Sequence, residues 1–169
     1  MPTAGHQDHD DERSPQGVPT GWAGDGVTIA PTQPAPGLIV LRVGGELDRL
    51  TVPRLATALA QAVAATAGEA ARPGGASILT GAPRVVCALD EVTFLGAAAL
   101  GVLARAAAQA RARRVDLVVR ATRRVARRPF ELTDLHTLVH LVTDPATADH
   151  AALAPHRDQR SATGTSPAA

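Results

Sequence analysis

VTFLGAAALGVLARAAAQARARR, residues 92 to 114, decides how the rest of the chain is read. A short apolar run ends in Phe94 and Leu95 and breaks at Gly96. Ala97 to Arg113 then follows, a segment of strong helix formers in which Leu100, Leu103, Ala107 and Ala110 recur at helical spacing. The order is strand, tight turn, helix. Such a junction points the free N–H groups and the positive dipole end of a helix at one surface spot, where many α/β proteins keep their functional group. Here that spot holds Gly96, Ala97, Ala98 and Ala99, which carry no side-chain chemistry.

Working outward, the 169 residues give room for one domain with tails. Apolar content of 45% places the chain among globular proteins, and aromatic content of 2% means that its core is aliphatic. A net charge of +1 gives no overall pull toward nucleic acid or membrane, although the charge is unevenly placed. The lone Cys87 excludes an internal disulfide framework and fits a cytoplasmic setting. No stretch approaches ~18 uncharged apolar residues, so neither a membrane span nor a secretory leader is expected.

Residues 1–26 are rich in Gly, Pro and charge, with Trp22 as their one large aromatic, and read as a disordered tail. Their acidic run, Asp8, Asp10, Asp11 and Glu12 with His6 and His9, has no fixed metal-ligand spacing. Val27 to Ala30 reads as a short edge strand, and Pro31, Pro34, Pro36 and Gly37 as a turn-rich connection. Leu38 to Val43 is a stronger strand ending at Gly44 and Gly45, with Glu46, Leu47 and Asp48 in the loop beyond. Thr51 is placed to cap the next helix, Pro53 sits in its first turn, and Val52, Leu55, Leu59 and Val63 form its apolar face through about Gly68. Residues 68–83 read as an inserted loop. Arg84 to Leu89 is a buried strand that Asp90 and Glu91 interrupt before Val92 to Leu95. Beyond the central helix, Val115 to Val119 is a further strand, and Arg123 to Thr133 a helix with Val125 and Leu132 inward that Pro129 either starts or kinks. Leu138 to Val142 closes the series. The expected fold is therefore an α/β single domain over residues 27–143, a mixed central sheet of about 4–5 strands packed against α-helices, with a second disordered tail over residues 144–169.

GELD at 45–48, VTFLGAAALGVL at 92–103 and LVVRATRRVARRPFELTDLHTLVHL at 117–141 together resemble the STAS domain, the family of bacterial anti-sigma factor antagonists. Phe94, Leu100, Gly101, Val102 and Leu103 fit the family's pattern of an aromatic, then Asp-Ser-Ser-Gly, then Leu-Gly-Val-Leu. The resemblance implies a partner, an anti-sigma factor of the serine-kinase type, which in the family phosphorylates the second Ser. By position that Ser falls on Ala98, the Ser before it on Ala97, the Asp on Gly96, the following Gly on Ala99, and a common strand Asp on Ala88. The apolar frame is retained and every polar member of the site is absent. Phosphorylation places about −1.5 to −2 charges at a helix start, and alanine has no hydroxyl to receive them. Thr93 is the nearest other acceptor. The resemblance also implies that Glu46, Asp48, Gly96, Ala97, Ala98, Ala99 and Leu100 form the partner-binding surface.

Other chemistry is sparse. Cys87 stands mid-strand with no basic neighbour to lower its pKa and reads as packing. His136 and His140 lack a third ligand, so no metal site is expected. No P-loop, GxGxxG or GxSxG occurs, no nucleophile stands beside a base, and the chain reads as non-enzymatic with no cofactor. Arg105, Arg111, Arg113 and Arg114, then Arg120, Arg123, Arg124, Arg127 and Arg128, make one half of the domain basic without the interleaved aromatics a nucleic-acid groove wants. The expected function is thus a cytoplasmic binding module in sigma-factor regulation. The alternatives are an adaptor subunit of a membrane transporter or lipid-transport ATPase, and a small-ligand sensor using the vacated site.

Overall fold

The computed structural model describes residues 21–24, 26–71 and 82–144. It begins with a hairpin, β1 (Trp22–Gly24) and β2 (Val27–Ala35), and continues through β3 (Leu38–Leu47), α1 (Val52–Ala70), β4 (Arg84–Leu95), α2 (Ala97–Ala112), β5 (Asp116–Arg120), α3 (Arg124–Leu132), a single 3-10 turn (Leu135–Thr137) and β6 (His140–Val142). The six strands form one sheet in sequence order. β1, β2 and β3 pair antiparallel, and β3 to β6 run parallel to one another.

The topology puts all three helices on one face. Each of the crossovers β3–α1–β4, β4–α2–β5 and β5–α3–β6 steps to the neighbouring strand in the same direction, and right-handed crossovers that advance one way land on one side. Ile39, Leu41, Val43, Val85, Cys87, Leu89, Leu117 and Val119 meet the helices there in one apolar cluster. Small residues let the helices come close: Ala58, Ala62, Ala99, Ala106 and Ala110 are buried in α1 and α2. On the opposite face Leu38, Val86, Val118 and Val142 make a smaller cluster across four neighbouring strands. Arg84 pairs with Asp116 at 3.0 Å and Arg120 with Asp90 at 2.6 Å. By strand alternation, both ion pairs lie on that same opposite face.

The mixed sheet against helices is as expected, and several local readings are corrected. β1 falls within the stretch 1–26 read as a tail. It is too short to show a pattern and exists because β2 offers it a partner from Val27 to Ile29. β2 runs on through Pro31 and Pro34, since beyond Ile29 no strand among the described residues lies on its outer edge to be supplied with N–H groups. β4 is one strand of 12 residues rather than two. Asp90 and Glu91 are accommodated by a register shift between the Arg42–Ala88 and Gly44–Glu91 pairs, and a second lies between Gly45–Val92 and Glu46–Phe94. α1 continues two residues past Gly68 to Ala70; of the expected insertion 68–83, residues 72–81 lie outside the described residues, as do the acidic run at 8–12 and the residues after Asp144. β6 is the three residues His140–Val142, so Leu138 belongs to the turn before it.

α3 departs most from expectation. Val125 and Leu132 are 40% and 71% exposed, while Ala126 and Phe130 are fully buried. The two pairs compete for the inward face, and the ring of Phe130 removes more apolar surface from water than either aliphatic side chain. Pro129 neither starts the helix nor ends it; it lies inside Arg124–Leu132.

Candidate partner-docking site

Near the carboxyl end of β3, which runs on to Leu47 and so includes the Glu46 and Leu47 expected in a loop, the chain passes through Gly45, whose φ of +88° suits glycine and where a Cβ would strike the Gly26 carbonyl. The Glu46 amide donates to that same carbonyl at 2.8 Å, so the start of β2 holds the loop in place. Asp48 then organises the entry to α1. Its Oδ1 accepts from the Leu50 amide at 2.8 Å and the Thr51 amide at 2.9 Å. The Thr51 hydroxyl accepts from the Asp48 amide at 3.0 Å, and its own proton is shared between the Glu46 carbonyl at 2.7 Å and the Asp48 carboxylate at 3.0 Å. The Thr51 amide first, then the Leu50 amide and the Thr51 hydroxyl, hold the Asp48 carboxyl below the usual aspartate range. Thr51 is therefore a loop tie and makes no side-chain cap on α1, contrary to the sequence reading.

The helix start of α2 lies directly beside this loop. The Gly96 amide donates to the Leu47 carbonyl at 2.9 Å, and a Cβ on Gly96 would stand 3.1 Å from that oxygen and 3.8 Å from the Asp48 Cα. Gly96 occupies the N-cap with no side chain closing the amide end, and the first turn holds no acidic residue. The positive dipole end thus opens next to Glu46 and Asp48. Ala97 is exposed and Ala98 half-buried against the core. Two expected contact residues are corrected: Ala99 is fully buried and Leu100 is 6% exposed, because the helical period turns both toward the sheet, where they support the surface without forming it.

The family model for the STAS domain matches residues 30–148. This chain belongs to the STAS domain family. Among solved structures, the STAS domain described here is similar to an anti-sigma factor antagonist from Mycobacterium paratuberculosis, at 28% identity over 77% of this chain and 97% of that one, with a TM-score of 0.54. A putative anti-sigma factor antagonist from Thermotoga maritima is 11% identical, with 73% and 93% of the two chains covered and a TM-score of 0.54. SpoIIAA in its unphosphorylated form is 15% identical, with 73% and 95% covered and a TM-score of 0.52. The last two likenesses speak to the fold alone. No curated protein matches the sequence.

The geometry adds two residues to the site of this STAS domain that the sequence reading missed. Leu50 is 85% exposed and Phe94 50% exposed, the first in the turn that Asp48 organises and the second beside Gly96. A signal for each was present. Leu50 precedes the apolar period that begins at Val52, and Phe94 is adjacent to Leu95, so one of the two had to face out. The rest of the site has little chemistry to offer. Thr51 is 6% exposed and its hydroxyl is fully engaged, whereas Thr93 is exposed. Burial pushes the Cys87 thiol up to about 12, which leaves it inert at neutral pH. A surface of alanine, glycine, an exposed leucine and an exposed phenylalanine, bordered by the fixed carboxylate of Asp48 and the exposed Glu46, can bind by shape and charge. Among residues 96–100 there is no group to receive a phosphoryl.

Proposed function

We propose that this STAS domain is an anti-sigma factor antagonist, or an antagonist-like module, that docks onto an anti-sigma factor of the serine-kinase type without serving as its phosphoacceptor. The contact surface is the Glu46–Leu50 segment at the end of β3, Phe94 and the Gly96–Ala98 helix start. One observation carries the reading: the open end of α2 stands beside two exposed apolar side chains and the Asp48 loop, yet holds alanine at Ala97 and Ala98 where the family's resemblance calls for serines. The similarity to an antagonist from Mycobacterium paratuberculosis supports the partner class. Because no hydroxyl stands at the helix start, association is governed by partner concentration and by the partner's own nucleotide state. The domain performs no catalysis in this scheme.

The test is reconstitution with purified serine-kinase anti-sigma factors. A stable complex by size-exclusion chromatography, no phosphate incorporated with ATP, and an affinity at least tenfold lower for Phe94→Ala are expected, the last corresponding to about 1.4 kcal/mol of a central aromatic contact. Phosphate on Thr93 or Thr51 overturns the unswitched reading. Stable capture of an ATPase or permease subunit in place of a kinase overturns the partner class.

A further inference from the structure

Among the described residues five large apolar side chains are exposed, and two of them, Leu50 and Phe94, belong to the site above. The other three are Val125 and Leu132 on α3 and Leu138 just behind it. The same helix carries an unbalanced charge. From Arg123 to Leu132 four arginines face one glutamate, a net +3. Arg127 pairs with Glu131 at 2.9 Å. Arg123, Arg124 and Arg128 are exposed and have no carboxylate partner among the described residues.

Their placement costs the helix stability. Arg123 is the N-cap, Arg124 is in the first turn, and no acidic residue stands there, so cations crowd the positive dipole end. With Ala126 and Phe130 buried, the 3.6-residue period sets Arg124, Arg128 and Leu132 in a row on the opposite side, with Val125 alongside. The row alternates cation and aliphatic. Its complement is carboxylate and aliphatic, and the absence of an exposed aromatic on α3 removes the stacking platform that a nucleic-acid strand uses.

We propose that the outer face of α3 is a second docking surface, taking an acidic, apolar-bearing segment of a partner protein. It is independent of the Gly96 site, and variants there leave it intact. Fluorescence anisotropy with a labelled synthetic peptide of Glu and Leu in amphipathic order tests it. Saturable binding is expected, weakening as salt rises from about 50 to 300 mM because exposed charges are screened, and at least tenfold weaker for Arg124→Glu. That variant places an acid at the dipole end, four residues before Arg128, so its Tm should hold or rise while binding is lost. Leu132→Ser should weaken binding without flattening its salt dependence. Equal binding of the Lys-for-Glu peptide, preference for a single-stranded oligonucleotide, unchanged binding by Arg124→Glu, or a dimer in sedimentation that Arg124→Glu dissociates, which would assign the face to a second copy, each overturns the proposal.

Discussion

Two residues set the shape of the docking loop, and each has a measurable consequence. Gly45 has a left-handed backbone pressed against the Gly26 carbonyl. Gly45→Ala combines backbone strain with a clash against main chain and should lower stability on the order of 3 kcal/mol, read as a fall in the urea midpoint at unchanged m-value. Asp48 acts through its charge. Its carboxyl is held below the ordinary value by the Thr51 and Leu50 amides and the Thr51 hydroxyl, so at pH below the unfolded-state value of about 3.9 the unfolded chain binds a proton that the folded chain refuses. The stabilisation is present above that pH and disappears as pH falls through the lower folded value. Asp48→Asn should show a lower Tm at neutral pH and a shallower loss of Tm on acidification than the parent; parallel acid profiles would show that the carboxylate charge contributes nothing. Residue identity made part of this readable in advance. Glu46, Asp48 and Gly96 were picked out by their resemblance to a known pattern, and they are neighbours. Exposure was legible only in part: Leu50 stands before the apolar period of α1, but which of the adjacent Phe94 and Leu95 faces out depends on a register shift in β4 that leaves no periodic trace.

At the scale of elements, the long periodic ones were legible. The helical spacing places α2 to within a residue and the apolar run places β5 to within a residue at each end, whereas the expected strand Leu38–Val43 stops four residues short of β3, because Gly44 and Gly45 read as its end. β4 was read as two pieces because strand alternation fails in it. The two register shifts let Val92 and Leu95, three apart, both bury while Thr93 and Phe94 stay exposed. α3 was oriented wrongly because its apolar residues fit two faces, and the bulk of Phe130 decided between them. Pro129 inside α3 supplies no N–H to the Val125 carbonyl one turn back. Pro129→Ala should restore that bond and raise stability by about 1–3 kcal/mol, measured as an increase in Tm with α3 still docked. A fall in Tm would mean that the half-buried ring contributes more by packing than its missing donor costs.

For the whole molecule, the arrangement of layers follows from one decision, the succession of parallel crossovers in a single direction. It places the amino ends of α1, α2 and α3 at the same end of the sheet, which is why the docking loop, the bare start of α2 and the arginines of α3 share one end of the domain. No helix among the described residues is long and apolar enough to cross a membrane. β4 outreaches β5 by the residues beyond Ala88, and α3 packs against β4. The two outermost strands, β1 and β6, are three residues each. A growing fibril or a swapped neighbour needs a long row of unsatisfied amides and carbonyls to add to; among the described residues β1 and β6 offer only short rows, and on the stretch of β2 beyond Ile29 Pro31 and Pro34 interrupt the row of donors. Short and proline-broken edges thereby keep an almost wholly aliphatic interior from becoming a template for its own aggregation.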